Sequence, residues 1–585
     1  MQNGRPGAAL LVFHFAFLIF NLSLIIPSVQ SVISAERMRA IDRLTTERFS
    51  TPSLLLMEAA AAAAARAVTA RFPEGVAGRR VRILCGRGNN GGDGAALGRA
   101  LSLSGARVDV VLFGRVEETK GDARTNFEVA RRLSSFEAGS HTEPPPLTFT
   151  ECESVAEWEE LAAHSYDAIV DALFGTGLTR PLEGVHRQVV EHLELLRNAR
   201  ERAHADRPLF VSLDIPSGLD ADSAALIGAT VRADLTVTFT APKPANVLPP
   251  ASHYNGELVV VHIGSPPSLL ETAGGQPGLF LVQDVDARAW LVKTRYAPDS
   301  YKNTHGHALV VAGSRGLTGA AVLCGQAAMR SGSGLVTIAT AAAAQAAVAA
   351  QAMPEIMTAA LPETADGAVR FEAIERVLNL ASRASAVAVG PGLSSEDEST
   401  RRFVRELIER RPAAVVIDAD GLNALAPWPE ELRGSMELPL VLTPHPGEMQ
   451  RLLGTDDRAA LDDRVAAARA FATAHEVLLV LKGSRTLIAS SDGRVFVNPT
   501  GNAGLGTAGA GDTLTGIITG FLAQAYGTLK EDADALEAVV AAVYVGGLAG
   551  DIAARRKGQR ALVASDISLS LGAAIRSLDA QGERP

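Results

Sequence analysis

Short apolar runs of strand character recur along the chain, each followed by glycine-rich or polar residues and then by a small-residue stretch with helical spacing. In the first half these runs predict strands over 81–84, 108–113, 168–170, 209–213, 235–239 and 258–262, after an alanine-rich helix over 54–70. A second series predicts strands over 308–311, 335–338, 386–389, 414–417, 440–442 and 477–481. Alternation of this kind predicts parallel, doubly wound sheets whose ligands collect at the strand C-terminal ends. The proline-rich stretch 140–146 reads as a surface loop and 265–278 as a linker. The boundaries drawn from this pattern are a leader over 1–33, a first unit over 34–265, a linker over 266–285 and a second unit over 286–580.

At 585 residues the chain exceeds what a single core supports. A net charge of −10 without a basic stripe excludes a nucleic-acid surface. Three widely spaced cysteines (Cys85, Cys152, Cys324) exclude a disulfide framework and a cysteine-based zinc site, and fit a reducing, cytoplasmic compartment. Residues 8–26 are nearly all apolar, with Arg5 the one charge before them. They read either as an export signal or marginal anchor, or as a start assigned too far upstream of a protein beginning near Ser34–Met38. The cytosolic character of the rest favours the second, so no membrane is expected for the folded units. The alanine-rich helices suggest a homo-oligomer.

The stretch Val81–Gly94, VRILCGRGNNGGDG, is a strand that breaks into a glycine-rich loop and restarts as a helix. That arrangement gathers backbone N–H groups and the positive end of a helix dipole around a concavity suited to phosphate. The Asn89-Asn90-Gly91-Gly92-Asp93 core adds hard oxygen ligands for a cation or sugar hydroxyls. Two more strand ends carry Asp171-Ala172-Leu173-Phe174-Gly175-Thr176-Gly177 and Asp214-Ile215-Pro216-Ser217-Gly218. Taken singly, Asp171 and Asp214 could be helix caps. Three such motifs at successive strand ends point to one pocket.

Together these motifs resemble the YjeF N-terminal family, the NAD(P)H-hydrate epimerases, over about 34–264. The resemblance implies a Rossmann-like fold that interconverts the R and S epimers of hydrated NADH and NADPH. It implies that Asn90, Asp171 and Ser217 coordinate K+. Asn89, Asn90, Gly91, Gly92 and Asp93 with Gly175, Thr176, Gly177, Leu178, Thr179, Arg180 and Pro181 would wrap the dinucleotide. Asp214 would contact the hydrated ring, where a carboxylate is suited to moving a proton at the epimerised centre.

The second half carries a denser set. A glycine loop from Asn498 through Gly504–Gly516 leads into an apolar helix from Ile517, an anion hole that places Asp512 to take a proton from a substrate hydroxyl. Further strand ends carry Lys482-Gly483-Ser484-Arg485-Thr486, Thr443-Pro444-His445-Pro446-Gly447-Glu448, Gly390-Pro391-Gly392 and Asp418-Ala419-Asp420-Gly421. These resemble the YjeF C-terminal family, the ADP- or ATP-dependent NAD(P)H-hydrate dehydratases of ribokinase-like fold, over roughly 287–578. The resemblance implies that Ala320, Gly392, His445 and Asp512 bind the hydrate. Lys482, Gly483, Ser484, Arg485, Thr486 and Gly511 would bind the nucleotide, with Mg2+ meeting phosphate charge. Asp418 and Asp420 are open to two readings, as Mg2+ ligands or as caps. His305 and His307 read as structural or surface residues, and Lys302, displaced from the family's His-Lys-Gly element, has no assigned role. Gly509-Ala510-Gly511-Asp512 stands where the family often has Gly-Thr-Gly-Asp, and sugar and vitamin kinases of this fold share that form.

The expectation is therefore a bifunctional α/β enzyme, an isomerase joined to a lyase. It would epimerise NAD(P)HX and dehydrate the S form with ADP, releasing AMP and phosphate. A ribokinase-type small-molecule kinase fused to a nucleotide-binding module is the alternative, and a non-enzymatic scaffold role for the first unit is a further one.

Overall fold

The computed structural model describes residues 30–135, 146–161, 165–203, 208–272 and 278–579. The apolar stretch 8–26 and all but the last residue of the 140–146 loop lie outside the described residues. The first unit is built on a seven-stranded sheet in which every pairing is parallel. In spatial order its strands are Leu147–Cys152, Arg107–Phe113, Arg80–Cys85, Ala168–Ala172, Leu209–Leu213, Leu235–Phe239 and Glu257–Val261. The order reverses at Arg80–Cys85, so the connections after it and after Ala168–Ala172 part and open a crevice. Leu147–Cys152 escaped the sequence reading because it is an edge strand whose central residues are only half-buried, which removes the apolar run.

The second unit holds an eleven-stranded sheet. Its parallel centre reverses at His307–Val311, which lies between Leu335–Ala341 and Ala386–Val389, with Met357–Leu361 paired in parallel to Leu335–Ala341 at the edge. From there Ala414–Ile417, Leu440–Leu442 and Leu478–Leu481 continue in parallel. The hairpin Leu487–Ala489 and Val495–Val497 extends the sheet antiparallel to them. The last two strands come from unexpected places. Leu279–Leu281, inside the stretch read as linker, pairs with Val495–Val497. Gln30–Val32, read as the end of the leader, then pairs antiparallel with Leu279–Leu281. Val32 and Leu281 are buried in one cluster that also takes Val247 from the first unit. Residues that open the chain's described part thus belong to the second sheet, and the linker stretch also holds a short helix, Pro267–Thr272.

Among the described residues one helix, Ala535–Lys557, is long and apolar enough to cross a membrane; most of it is buried within the second unit.

The two glycine motifs differ from their sequence reading in one respect. Both helices start earlier than expected, at Asn89 and Ala510, so the glycines occupy first turns rather than loops. Their reason is packing. A Cβ on Gly91 would lie 1.8 Å from the Gly86 carbonyl oxygen, and one on Gly94 would lie 2.7 Å from Ala172 Cβ. In the second unit, a Cβ on Gly516 would lie 2.1 Å from the Cys324 carbonyl oxygen, where two helices cross in close contact. Gly516→Ala is therefore expected to cost at least about 1–3 kcal/mol, because backbone must move to admit the methyl. Gly319→Ala, with no atom within 4 Å of the added carbon, should be neutral; denaturant unfolding of both proteins checks the contrast.

Candidate active sites

In the first unit, the three strand-end motifs and the helix Ala35–Phe49 enclose a cavity of about 620 Å³. Asn89, Asn90, Asp93, Gly175, Thr176, Gly177, Leu178 and Asp214 line it. Gly91 and Gly92 do not, because they face Gly86 on one side and Ala123 and Met57 on the other. Thr179, Arg180 and Pro181 lie beyond the lining, exposed. Asp214 adopts a left-handed backbone (φ 64°) that turns it at its strand end. Its Oδ1 forms an ion pair with Lys243 and accepts from Thr238 Oγ1 at 3.0 Å. Lys243 is only 1% exposed, and its ammonium also donates to the Phe239 carbonyl at 3.2 Å. The sequence reading missed Lys243, although its signal is the same as that of the other motifs: Ala-Pro-Lys-Pro directly follows the strand Leu235–Phe239.

Below this pair Asp171 is buried and fully used. Its oxygens accept from Ser212 Oγ, Ser217 Oγ, Ser217 N and Leu173 N at 2.5–3.2 Å. Burial raises its carboxyl above the usual carboxylate range despite those donors. Ser217 Oγ accepts in turn from Phe174 N at 2.9 Å. Asn90 packs against Gly175, and neither polar atom of its buried carboxamide has a partner. An unpartnered buried amide in the cavity wall leaves a carboxamide oxygen free for a cation or a ligand donor. Among the described residues no group of three or more His, Cys, Asp or Glu side chains could hold a metal ion.

In the second unit the motifs also converge. Gly392 (φ 59°) turns its loop so that a Cβ there would lie 3.0 Å from Ala320 Cβ, and its carbonyl accepts from Ser314 Oγ. Asp418 is buried at its strand end, where Lys482 Nζ donates to Oδ1 and Thr515 Oγ1 to Oδ2, both at 2.7 Å. Burial pushes the Asp418 carboxyl up, but Lys482, Thr515 and Thr443 outweigh it and hold it below its ordinary value. Asp418 is thus a partner of Lys482, and Asp420 accepts the Ser394 N–H at 2.9 Å. Lys482 also lies 3.8 Å from Glu448 Oε2. His445 caps the helix Pro446–Leu452: its Nδ1 accepts from Gly447 N and Glu448 N, leaving the proton on Nε2.

Asp512 stands in the first turn of the helix Ala510–Gln524, beside Gly511, whose Cα hydrogen faces Lys482 Nζ. Burial first, then the nearby charge of Asp418, raises its carboxyl to about 6 against the pull of Lys482. The loop after Leu478–Leu481 is held by Arg464, which donates to the carbonyls of Leu481, Lys482 and Ser484. Gly483 and Arg485 both carry positive φ there, and the Thr486 hydroxyl donates to the Gly483 carbonyl. His253 of the first unit lies 3.0 Å from the Ser484 hydroxyl. His305 is buried and stacked on Tyr296, His307 pairs with Thr337, and Lys302 packs its carbonyl on Gly334, so all three act in the fold.

Two α/β units, each with carboxylates and a lysine at its strand ends, describe a chain with two separate reaction centres. Residues 308–571 match the family NAD(P)H-hydrate dehydratase and 53–245 the family YjeF-related protein N-terminus. The bifunctional NAD(P)H-hydrate repair enzyme of Moorella thermoacetica is 39% identical over 94% of this chain and 98% of its own length. That of Thermofilum pendens is 38% identical over 94% and 96%, and that of Escherichia coli 31% identical over 88% of each. The ADP/ATP-dependent NAD(P)H-hydrate dehydratase of Bacillus subtilis, crystallised with ATP and Mg2+, is 31% identical over 51% of this chain and 98% of that one, with a TM-score of 0.43. The chain belongs to the bifunctional NAD(P)H-hydrate repair enzymes, which join an epimerase to an ADP/ATP-dependent dehydratase. The kinase alternative has no support among these relatives.

Removing Lys243 while keeping its volume tests how far the first centre depends on the buried pair. Lys243→Met leaves Asp214 without its cation and should lower stability by about 3–5 kcal/mol, read from the denaturation midpoint.

Proposed function

We propose that the cavity around Asp214 epimerises R- and S-NAD(P)HX and that the centre around Asp512 dehydrates the S form with ADP, giving NAD(P)H, AMP and phosphate. The observation that carries this reading is the gathering of the first motif set in one cavity at the reversal of its sheet, and of the second at the C-terminal ends of the successive parallel strands Ala386–Val389, Ala414–Ile417, Leu440–Leu442 and Leu478–Leu481. Asp214, oriented by Lys243 and Thr238, is the group that moves a proton at the epimerised carbon. Asn90, Asp171 and Ser217 would hold K+, supported by the partnerless Asn90 amide; the ion would supply fixed positive charge at the floor of the cleft. Asn89, Asn90, Asp93 and Gly175–Leu178 would line the dinucleotide, a narrower set than the motifs first implied.

At the second centre Ala320, Gly392 and His445 would seat the hydrate beside Asp512. Lys482 to Thr486 and Gly511 would face the nucleotide, with the Lys482 ammonium placed for phosphate charge. Asp512 takes the proton of the ring hydroxyl as that oxygen accepts the terminal phosphoryl group. Phosphate then leaves with the C–O bond, and loss of a ring proton restores the conjugated dihydropyridine. Mg2+ would neutralise charge on the transferred phosphoryl, held chiefly by phosphate oxygens and water.

The full chain, given both NADHX epimers with ADP, should return all of the hydrate as NADH. Asp214→Asn, or omission of K+, should strand the R epimer and leave S-NADHX turnover unchanged. Recovery of both epimers by Asp214→Asn at the wild-type rate overturns the assignment of the first cavity.

The second centre has a pH signature. Asp512 must be ionised to act as base, and its carboxyl is raised to about 6. Dehydration of S-NADHX should hold above that pH and fall as pH drops through it, whereas an unshifted aspartate would keep its activity down to about pH 4. A rate profile in pH at saturating S-NADHX and ADP decides between them.

A further inference from the structure

Inverting the carbinolamine carbon of the hydrated ring requires a proton removed at one heteroatom and a proton delivered at another. Asp214 can serve one of these. Its Oδ1 already receives Lys243 and Thr238, which suits it to the anionic role. The cavity contains three further carboxyls, on Asp42, Asp93 and Asp122. Asp93 lies in the helix Asn89–Leu103, and burial with the charges of Asp214 and Asp42 holds its carboxyl well above its ordinary value, which favours the neutral form. Asp122 stands at the start of the helix Gly121–Ser135, which packs on the Asn89–Leu103 helix, and is partly exposed rather than buried.

Asp42 differs from all of these. It projects from the helix Ala35–Phe49, which is fixed at its start by the Ser34 cap and by Ala35 N donating to Asp222 Oδ1 at 2.7 Å. Its Oδ1 is buried and has no hydrogen-bond partner. A buried carboxyl oxygen without a partner in a cavity wall is costly unless a group that enters the cavity meets it. We propose that Asp42 is the second proton-transferring residue of the epimerase centre, working with Asp214 in the same cavity; this rests on the reading of that cavity as the epimerase site.

The step balances without a co-reactant. The Asp214 carboxylate takes the hydroxyl proton, the oxygen's electron pair forms the C6 carbonyl, and the N1–C6 bond breaks with its pair going to N1. Asp42 delivers its proton to N1. Rotation about the C5–C6 bond presents the other face of the aldehyde, N1 attacks it, and the two protons return to the oxygen and to Asp42. Burial raises the Asp42 carboxyl to about 6, Lys243 opposing and Asp214 adding to the shift, so it can carry a proton near neutral pH. Other titratable groups facing the cavity are Arg39 on the same helix, and Arg87, Asp93, Asp122 and His186 on the other walls.

The test compares R- and S-NADHX turnover by the full chain carrying Asp42→Asn, Asp42→Glu or Asp214→Asn, with NADH formation as readout. Asp42→Asn should lower kcat for the R epimer by about 100-fold or more, with KM changed little and S-epimer turnover intact. With ADP omitted and R-to-S conversion followed by chromatography, so that the Asp512 limb does not enter, wild-type conversion should decline as pH rises through about 6, and Asp42→Asn should lose that dependence. If Asp42→Asn melts early, Asp42→Glu decides: a displaced pH limb supports the proposal and an unchanged profile overturns it. R-epimer turnover by Asp42→Asn within about threefold of wild type, with Asp214→Asn inactive, overturns the role of Asp42 alone. Full R-epimer turnover by Asp214→Asn overturns the reading of the cavity itself.

Discussion

A lysine ammonium held inside the protein by a strand-end aspartate sets the electrostatics of both centres. In the first unit Lys243 meets Asp214 with Thr238 as third member; in the second, Lys482 meets Asp418 with Thr515. Removing a lysine from water is expensive, and such a pair persists only when each charge has its partner and its remaining hydrogen bonds. The threonine hydroxyls supply those bonds. The aspartates sit at the C-terminal ends of central parallel strands, one strand from the point where each sheet's connections diverge. The rest of each site is arranged around that fixed ion pair: the glycine-started helix on one side and the turn with positive φ on the other.

The pairs also explain which parts of the sites were legible in the sequence. Asp214, Asp171, Lys482 and Asp512 each announce themselves locally, because each follows an apolar run or opens a helix within a few residues of glycine. Asp42 has no such signal. It stands in the interior of an amphipathic helix and reaches the cavity only through tertiary packing. Lys243 carried a readable signal that was passed over, since a lysine between prolines is usually a solvated turn. The central strands were legible because burial on both faces makes them continuous apolar runs. Of the edge strands Glu257–Val261 was legible, whereas Leu147–Cys152 and Gln30–Val32, partly exposed and without a continuous apolar run, were not.

Glycine spacing gave the right place and the wrong reason. The NNGGDG stretch reads as a loop that yields space to a ligand, yet Gly91 and Gly94 yield it to Gly86 and Ala172. Close approach of the helix to the strand end is what brings Asn90 and Asp93 to the cavity wall. The sequence pattern also could not show that the chain crosses between its units. Gln30–Val32 completes the second sheet from the N-terminal side, with Leu279–Leu281 between it and the hairpin. A three-residue strand paired with residues about 250 positions away leaves no local periodicity to find. Its consequence is mechanical: the helix bearing Asp42 begins directly after a strand of the other unit, and Ile33 N is tied to the Pro242 carbonyl at 2.9 Å beside Lys243.

Each centre divides its carboxyls by environment. In the second unit the lysine keeps Asp418 ionised and low, and that retained negative charge helps to raise Asp512, which has no cation of its own. One carboxylate is fixed so that its neighbour can titrate near neutral pH, which is the separation acid–base chemistry needs. In the first unit Lys243 sits on Asp214 while Asp42, without a partner at its buried Oδ1, is pushed up to about 6. The parallel cores of the two units run in the same strand order, and Asp214 and Asp418 each follow the fifth core strand, so the shared topology places a carboxylate at the same point of both sheets although the motifs differ. Both act on one ring carbon that bears a hydroxyl beside a nitrogen, and both need a proton acceptor and a proton carrier that do not neutralise each other. A lysine that engages only one of two nearby aspartates supplies that asymmetry with no further machinery.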